Sequence, residues 1–180
     1  MRYVVLLRGI NVGGKNKIPM ADLRRELTDA GFSDVQTYIQ SGNVVLTATQ
    51  SAIEVEDAIE ELLPRRFTLN SASIMTLVLD GDRLRAVVDD APPDFGAEPD
   101  VYHYDVAFLK GISGADVLPH ARLHPEVDAV WAGPDAFYYR RVSALRTKSR
   151  INSIMSTPVY QNMTIRNWRT TTKLVAMLTD

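Results

Sequence analysis

Val35-Gln36-Thr37-Tyr38-Ile39-Gln40-Ser41-Gly42-Asn43-Val44-Val45-Leu46-Thr47-Ala48 is the stretch on which the fold turns. Two strand-type runs, 35–40 and 44–48, flank Ser41-Gly42-Asn43, and Gly and Asn tolerate the positive φ of a tight reversal. The stretch reads as a β-hairpin. Upstream, residues 19–30 predict a helix, because Met20, Leu23, Leu27 and Ala30 recur at three- and four-residue spacing. Pro19 suits its first turn. Gly31 suits a left-handed C-terminal cap, with Phe32 placed to pack back on Leu27. Downstream, Ser51 and Glu54 form a capping box. It opens a helix with Val55, Ala58, Ile59, Leu62 and Leu63 inward and Pro64 beyond its end. The acids Glu54, Glu56, Asp57, Glu60 and Glu61 mostly mark its solvated face.

Farther outward, 3–7 and 73–79 are short strand-type runs. The order is then β-α-β-β-α-β, with a hairpin in the middle and a helical crossover on each side. That is the ferredoxin-like split βαβ pattern, an antiparallel sheet with both helices on one face. The fold class is α+β. Residues 1–80 form the ferredoxin-like half, and 81–180 predict a second, smaller α+β half packed on the first. In the second half, 82–88 reads as a short helix and 89–100, with three prolines and five acids, as a loop. Residues 102–109 read as a strand, and 115–124 are ambiguous. Residues 127–132 and 136–142 form a second hairpin around Gly133-Pro134-Asp135. A short helix is expected at 147–155. A terminal helix is expected at 164–178, with Thr164 as its N-cap. The two hairpins hint at duplication, but no repeat is legible in the residues.

The 180 residues are 46% apolar and 23% charged, normal for a globular chain. No apolar run approaches the ~18–20 residues that cross a bilayer, and the five-residue run after Arg2 is too short for a signal peptide. The expected location is cytoplasmic, with no membrane partner. The absence of cysteine excludes disulfides, thiolate metal sites and a cysteine nucleophile. The net charge of −2 conceals a segregation. Residues 1–20 carry four bases and no acid, 21–135 carry 8 bases against 21 acids, and 136–180 carry 8 bases against one acid. Either the basic ends dock on the acidic middle, or they form a face for an anionic partner.

Three segments carry candidate chemistry. Arg8-Gly9-Ile10-Asn11-Val12-Gly13-Gly14-Lys15-Asn16 follows a strand, and Gly9 through Lys15 fits the phosphate-loop spacing up to its lysine. Glycine amides cradle anions and the lysine adds a charge. However, Asn16 stands where the magnesium-binding Ser or Thr belongs, and the helix waits until Pro19. A plain glycine turn is the competing reading. Thr164-Ile165-Arg166-Asn167-Trp168-Arg169 is read as a helix start, where free amides and the dipole attract anions. Arg166 and Asn167 would sit in its first turn. Arg140, Arg141, Arg146, Lys148 and Arg150 follow Phe137, Tyr138 and Tyr139, a combination that binds phosphate and stacks bases when the rings are exposed. His120 and His124 have metal-ligand spacing, but Pro119 and Pro125 break their helix. No persuasive acid–base pair is legible, and no cofactor or metal is expected.

Three stretches also carry a family resemblance. They are Leu6 to Met20 (LLRGINVGGKNKIPM), Tyr38 to Val44 (YIQSGNV) and Met163 to Thr170 (MTIRNWRT). In this order they resemble the bacterial domain of unknown function 1697 family over nearly the whole chain. The resemblance implies a compact α+β bacterial protein with a ferredoxin-like element and no assigned activity or site residue. The reading the residues support is a small-anion or nucleotide-phosphate binding protein. Arg8, Asn11, Lys15, Arg166 and Asn167 are its ligating candidates, with the Gly13 and Gly14 amides assisting and Ser41 and Asn43 as additional candidates. It requires the first loop and the last helix to converge. The alternatives are an RNA- or DNA-binding module using 140–150, and a non-catalytic interaction domain.

Overall fold

The computed structural model describes residues 1–179. The chain divides into two compact units, Met1–Arg85 with the last turns of the final helix from Leu174, and Ala86–Lys173.

The first unit contains β1 (Arg2–Leu7), α1 (Met20–Asp29), β2 (Ser33–Tyr38), β3 (Asn43–Thr47), α2 (Ala52–Arg66) and β4 (Thr76–Asp80). Its sheet runs β2-β3-β1-β4, antiparallel throughout. This is the predicted ferredoxin-like order. Tyr3, Val5 and Leu7 of β1, with Val44, Leu46 and Val78, form one sheet face. Leu23 and Leu27 of α1 and Val55, Ile59 and Leu63 of α2 pack on it. The alternate residues Val4, Leu6, Val45, Leu77 and Leu79 are buried as well. Both faces are therefore apolar, which is why these strands read as unbroken hydrophobic runs.

The predicted helix ends form. After α1, the Phe32 amide donates to the Leu27 carbonyl and the Gly31 amide to Thr28, with Gly31 at φ +99°. That is the Schellman closure anticipated from Gly31 and Phe32. At α2, the Ser51 amide donates to the Glu54 carboxylate at 2.8 Å, completing the capping box. Three expectations for α2 need correction, the smallest being that Ala58, expected inward, is exposed. The helix continues through Pro64 to Arg66, because the Phe67 amide still closes on Leu63, whose side chain is fully buried. Glu56 and Glu60 are also not on a solvated face. Glu56 accepts from the Val78 amide at 2.8 Å and Glu60 from the Thr76 amide at 2.9 Å. Four helical residues advance ~6 Å and two strand residues ~6.7 Å, so the spacings match. The two carboxylates thus satisfy outward amides of edge strand β4, which otherwise invite another strand.

The second sheet is built from β5 (Tyr102–Leu109), β6 (Asp128–Ala132), β7 (Ala136–Val142) and β8 (Met163–Asn167). Its order is β6-β7-β5-β8, again antiparallel. Strand for strand it repeats the first sheet. Helix α3 (Gly81–Asp89) follows β4 just as α5 (Trp168–Thr179) follows β8. The duplication that the two hairpins hinted at is therefore present in topology. It was hidden because the crossovers differ. Between β5 and β6 lies α4 (Gly114–Val117) running into a 3-10 turn, and between β7 and β8 the chain forms 3-10 stretches at Ser143–Lys148, Ile151–Ser156 and Pro158–Asn162. Val117, Ile151 and Ile154 from these pieces pack with Ala107, Leu109, Phe137, Tyr139 and Met163. The helix expected at 147–155 is thus 3-10 structure. It is pinned by buried Asp128, which accepts from the amides of His124 and Arg150, each at 2.8 Å.

The largest correction concerns the last segment. Residues 163–167 are strand, and α5 begins at Trp168. The β-branched Thr164 and Ile165 suit a strand, and the free edge of β5 supplies pairing from Asp105↔Asn167 to Leu109↔Met163. The cap is Asn167, whose side-chain oxygen accepts from the Arg169 amide at 2.9 Å. The same device starts α3, where Asp80 at the end of β4 accepts from the Arg83 amide at 2.8 Å. Among the described residues, no helix is long and apolar enough to cross a membrane.

Candidate functional site: the groove between the first loop and the β2–β3 turn

The Gly9–Lys17 segment leaves β1 and folds back as a miniature hairpin. The Lys15 amide donates to Val12 and the Asn11 amide to Asn16, while Gly13 and Gly14 have φ of +58° and +75°. Two successive positive φ values define the tight turn that glycine pairs favour. The phosphate-loop reading fails here. That motif needs a wide loop opening directly into a helix, and this loop closes on itself instead. Asn16, which occupies the Ser/Thr position of that motif, is buried. Its side-chain oxygen accepts from the amides of Asn70 and Ser71 at 2.8 and 3.1 Å, and its NH2 donates to the Gly9 carbonyl and the Ser71 hydroxyl. It fastens the loop to the segment before β4. Sequence reasoning missed this role; the only local signal is a polar residue directly after a Gly-Gly-Lys turn.

Asn11 is the second fastener. Its NH2 donates to the carbonyls of Ile18 at 2.9 Å and Gln40 at 2.8 Å, and its oxygen accepts from the Ile18 amide. Both donors of the side chain are thereby engaged. The Gln40 contact joins the first motif to the β2–β3 turn. Gly42 completes the junction. The Leu7 amide donates to its carbonyl at 2.8 Å, and a Cβ built on it would lie 2.8 Å from Leu7 Cβ. Asn43 is fully buried, with its NH2 donating to the Tyr38 carbonyl and the Ser41 hydroxyl. Ser41 and Asn43 therefore shape the turn from within.

Between loop and turn lies an open groove of about 730 Å³, lined by Asn11, Gly14, Lys17, Ile18 and Pro19, the first residues of α1, and Thr37, Ile39 and Gln40. Ile39 stands out, with φ +49° and half its surface exposed. A β-branched residue in the left-handed region carries strain of about 1–3 kcal/mol. Helix α1 begins at the groove with Pro19 in the cap position and no side-chain cap. Its first-turn amides have no side-chain acceptor, and the one carboxylate of that turn, Asp22, is paired with Arg25 at 2.7 Å.

Of the nine candidate residues, Asn11 and Gly14 line this groove. Gly13 and Lys15 are exposed on the miniature hairpin, and the cation that lines the groove is Lys17. Arg8 is half-buried at the end of β1. Arg166 and Asn167 belong to the second unit. Arg166 is a strand residue rather than a first-turn residue. It is buried and donates to the Thr164 hydroxyl and the Ile165 carbonyl, and burial pushes its guanidinium down to about 10. Asn167 caps α5 and also donates to the Tyr104 carbonyl. In the 140–150 segment, Phe137, Tyr138 and Tyr139 are core side chains. Arg140 lies 4.0 Å from the Tyr102 ring centre and Arg141 bonds Asp105 at 2.8 Å, while Arg146, Lys148 and Arg150 are exposed. Among the described residues, no group of three or more metal-ligating side chains is placed to hold an ion.

Comparison with known proteins agrees with this architecture. Conserved bacterial protein SP0830 from Streptococcus pneumoniae has a solved structure similar to this one, with 28% identity, 98% of each chain covered and a TM-score of 0.77. No curated protein matches the chain. The family model described as "Protein of unknown function (DUF1697)" matches residues 1–138, which contain the loop and the turn that form the groove; the 163–170 motif lies beyond the match. On that match the chain belongs to the DUF1697 family.

Proposed function

We propose that the first unit binds a small phosphate-bearing or otherwise anionic molecule in the groove between the first loop and the β2–β3 turn. The observation that carries this reading is the start of α1. A helix of ten residues, uncapped by any side chain, opens into the groove beside Lys17 and Gly14. Unsatisfied amides and the helix dipole favour an anion there, and a lysine adds a full charge. The remaining wall, from Ile18, Pro19, Met20 and Ile39, is apolar and suits the uncharged part of such a ligand. This reading keeps the anionic ligand class expected from sequence but needs neither Lys15 nor Arg166.

The test is calorimetric titration of inorganic phosphate and mononucleotides into the full chain. Lys17→Ala is expected to weaken binding about tenfold, the scale of one charge-assisted contact. Lys15→Ala is expected to change it little. Equal affinity in wild type and Lys17→Ala refutes the reading.

A further inference from the structure

We infer that the second unit carries a ligand site of its own, a pocket for a small planar aromatic anion. The pocket lies where β5 begins and α5 starts, and it encloses about 400 Å³. That is within the range of about 300–1,000 Å³ typical of small-molecule sites. Tyr102, Tyr104 and Trp168 supply aromatic walls, Arg169 supplies a guanidinium and His103 an imidazole; among the described residues lining it, none is acidic. Rings stack on planar ligands, and a guanidinium beside them pairs with an acidic substituent.

Three features hold these groups in place. Gly96 has φ +89°, and a Cβ there would come within 2.1 Å of the Trp168 ring. Only glycine lets the chain close on the indole, and Phe95 then meets the same ring edge-to-face at 5.1 Å. Arg140 covers Tyr102 at 4.0 Å, a cation–π contact that fixes that ring. His103 is oriented by Asp105, with Nε2 3.3 Å from the carboxylate. Asp105 is buried and also receives Arg141 at 2.8 Å. The Arg141 guanidinium therefore balances the carboxylate, and Asp105 orients His103 without presenting net negative charge to a bound anion. His103 and Arg169 themselves remain exposed, as ligand-reading groups must be.

The site is separate from the proposed groove of the first unit, and its test separates them. The chain has two tryptophans, so Trp168→Phe assigns the indole N–H signal of Trp168 in a proton–nitrogen NMR spectrum. The full chain is titrated with adenosine 5′-monophosphate and indole-3-acetate, and in parallel with adenosine and ribose 5-phosphate. Saturable displacement of the Trp168 signal is expected with at least one of the two aromatic anions. It should occur with about tenfold higher affinity than for the half-ligands. The surface double variant His103→Gln/Arg169→Ala should lower that affinity at least tenfold, whereas Lys17→Ala should not change it. No saturable shift at millimolar concentration with either aromatic anion overturns the inference. So does an affinity unchanged in the double variant, or one lost in Lys17→Ala.

Discussion

The two halves share a strand order and differ in what covers it. In the first, α1 and α2 pack Leu23, Leu27, Val55, Ile59 and Leu63 on the sheet. In the second, the corresponding crossovers contribute Val117, Ile151 and Ile154 from a four-residue helix and 3-10 turns. Yet β6-β7-β5-β8 closes in the same antiparallel order as β2-β3-β1-β4. Hairpin pairing and the return of the last strand beside the first therefore specify this topology, while the helices supply burial. The less helical half also holds a charge pair, Asp105–Arg141, against its sheet, whereas the buried Glu56 carboxylate of the first half is satisfied by a backbone amide.

Equivalent positions have diverged in chemistry too. The start of β1, the end of β4 and the start of α3 enclose a small cavity of about 280 Å³ with Asp80, Asp82, Arg2 and Arg85. The same position in the second half is the aromatic pocket of Tyr102, Tyr104 and Trp168. The first holds the Arg85–Asp82 pair at 2.8 Å, and rings with Arg169 and His103 line the second. A duplicated frame has thus kept its hydrogen-bonded caps, Asp80 and Asn167, and exchanged the side chains around them.

The comparison can be broken most sharply at the two hairpin turns. Gly42→Ala places a Cβ against Leu7 Cβ and its carbonyl at a position with φ +82°. Left-handed strain and overpacking together are expected to destabilise by about 3–4 kcal/mol. Gly133→Ala, at the matching turn, meets the Tyr138 ring edge at 2.9 Å without a positive φ. Its expected cost is smaller, about 2 kcal/mol: the Tyr138 ring is buried with its hydroxyl held by the Val87 carbonyl, and the Ala136 carbonyl lies 3.1 Å away, but no left-handed strain adds to the overpacking. Urea denaturation of both variants measures the difference, and equal losses would mean that the two turns are equally constrained.

Next in size is the charged interior of the second half. Arg141→Leu leaves Asp105 buried without the guanidinium that bonds it at 2.8 Å, an expected loss of about 3 kcal/mol at neutral pH. Burial already holds the Asp105 carboxyl above its ordinary value, opposed by His103 and Arg141. Removing Arg141 raises it further. A carboxyl raised in the folded state stabilises fully below its unfolded value, and that stability is lost as pH rises through the folded one. The deficit of the variant should therefore be smallest in acid and grow toward neutrality, as read from urea midpoints across pH. A deficit independent of pH would assign the effect to packing.

The smallest expected effect has the opposite sign. Ile39→Asn relieves a β-branched residue at φ +49° and is expected to stabilise the chain by about 1 kcal/mol. The positive-φ residues of the second half do not include the β6–β7 turn, so no substitution there should gain stability by the same route. A thermal melt of Ile39→Asn that fails to rise would show that the turn holds Ile39 without strain.

Much of the first half was legible because its signals are local. Ser51 and Glu54 are three residues apart, Gly31 and Phe32 directly follow α1, and Gly42 sits inside its own hairpin. The two caps act through hydrogen bonds within one turn of chain, and the Gly42 turn announces itself by its φ preference, although its bond to Leu7 is long-range. Of the candidate residues, Asn11 and Gly14 line the groove. Lys15 was named by analogy with a phosphate loop that Asn16 and the glycine turn do not allow. Lys17 is not legible as a groove residue from sequence, because the groove exists only where Ile39 and Gln40 close it from another element.

What the residues fixed unaided were the α+β class, both hairpins, the caps of α1 and α2 and the βαββαβ order of the first half. These follow from φ preferences and three- or four-residue periodicity. Tertiary structure decided that 163–167 is strand, that Glu56 and Glu60 guard β4, that Arg166 is buried, and that the second half repeats the first. The reason is range. Arg166 meets Val106 across about sixty residues of chain, and no local preference of Thr-Ile-Arg-Asn competes with an open sheet edge offering that many hydrogen bonds.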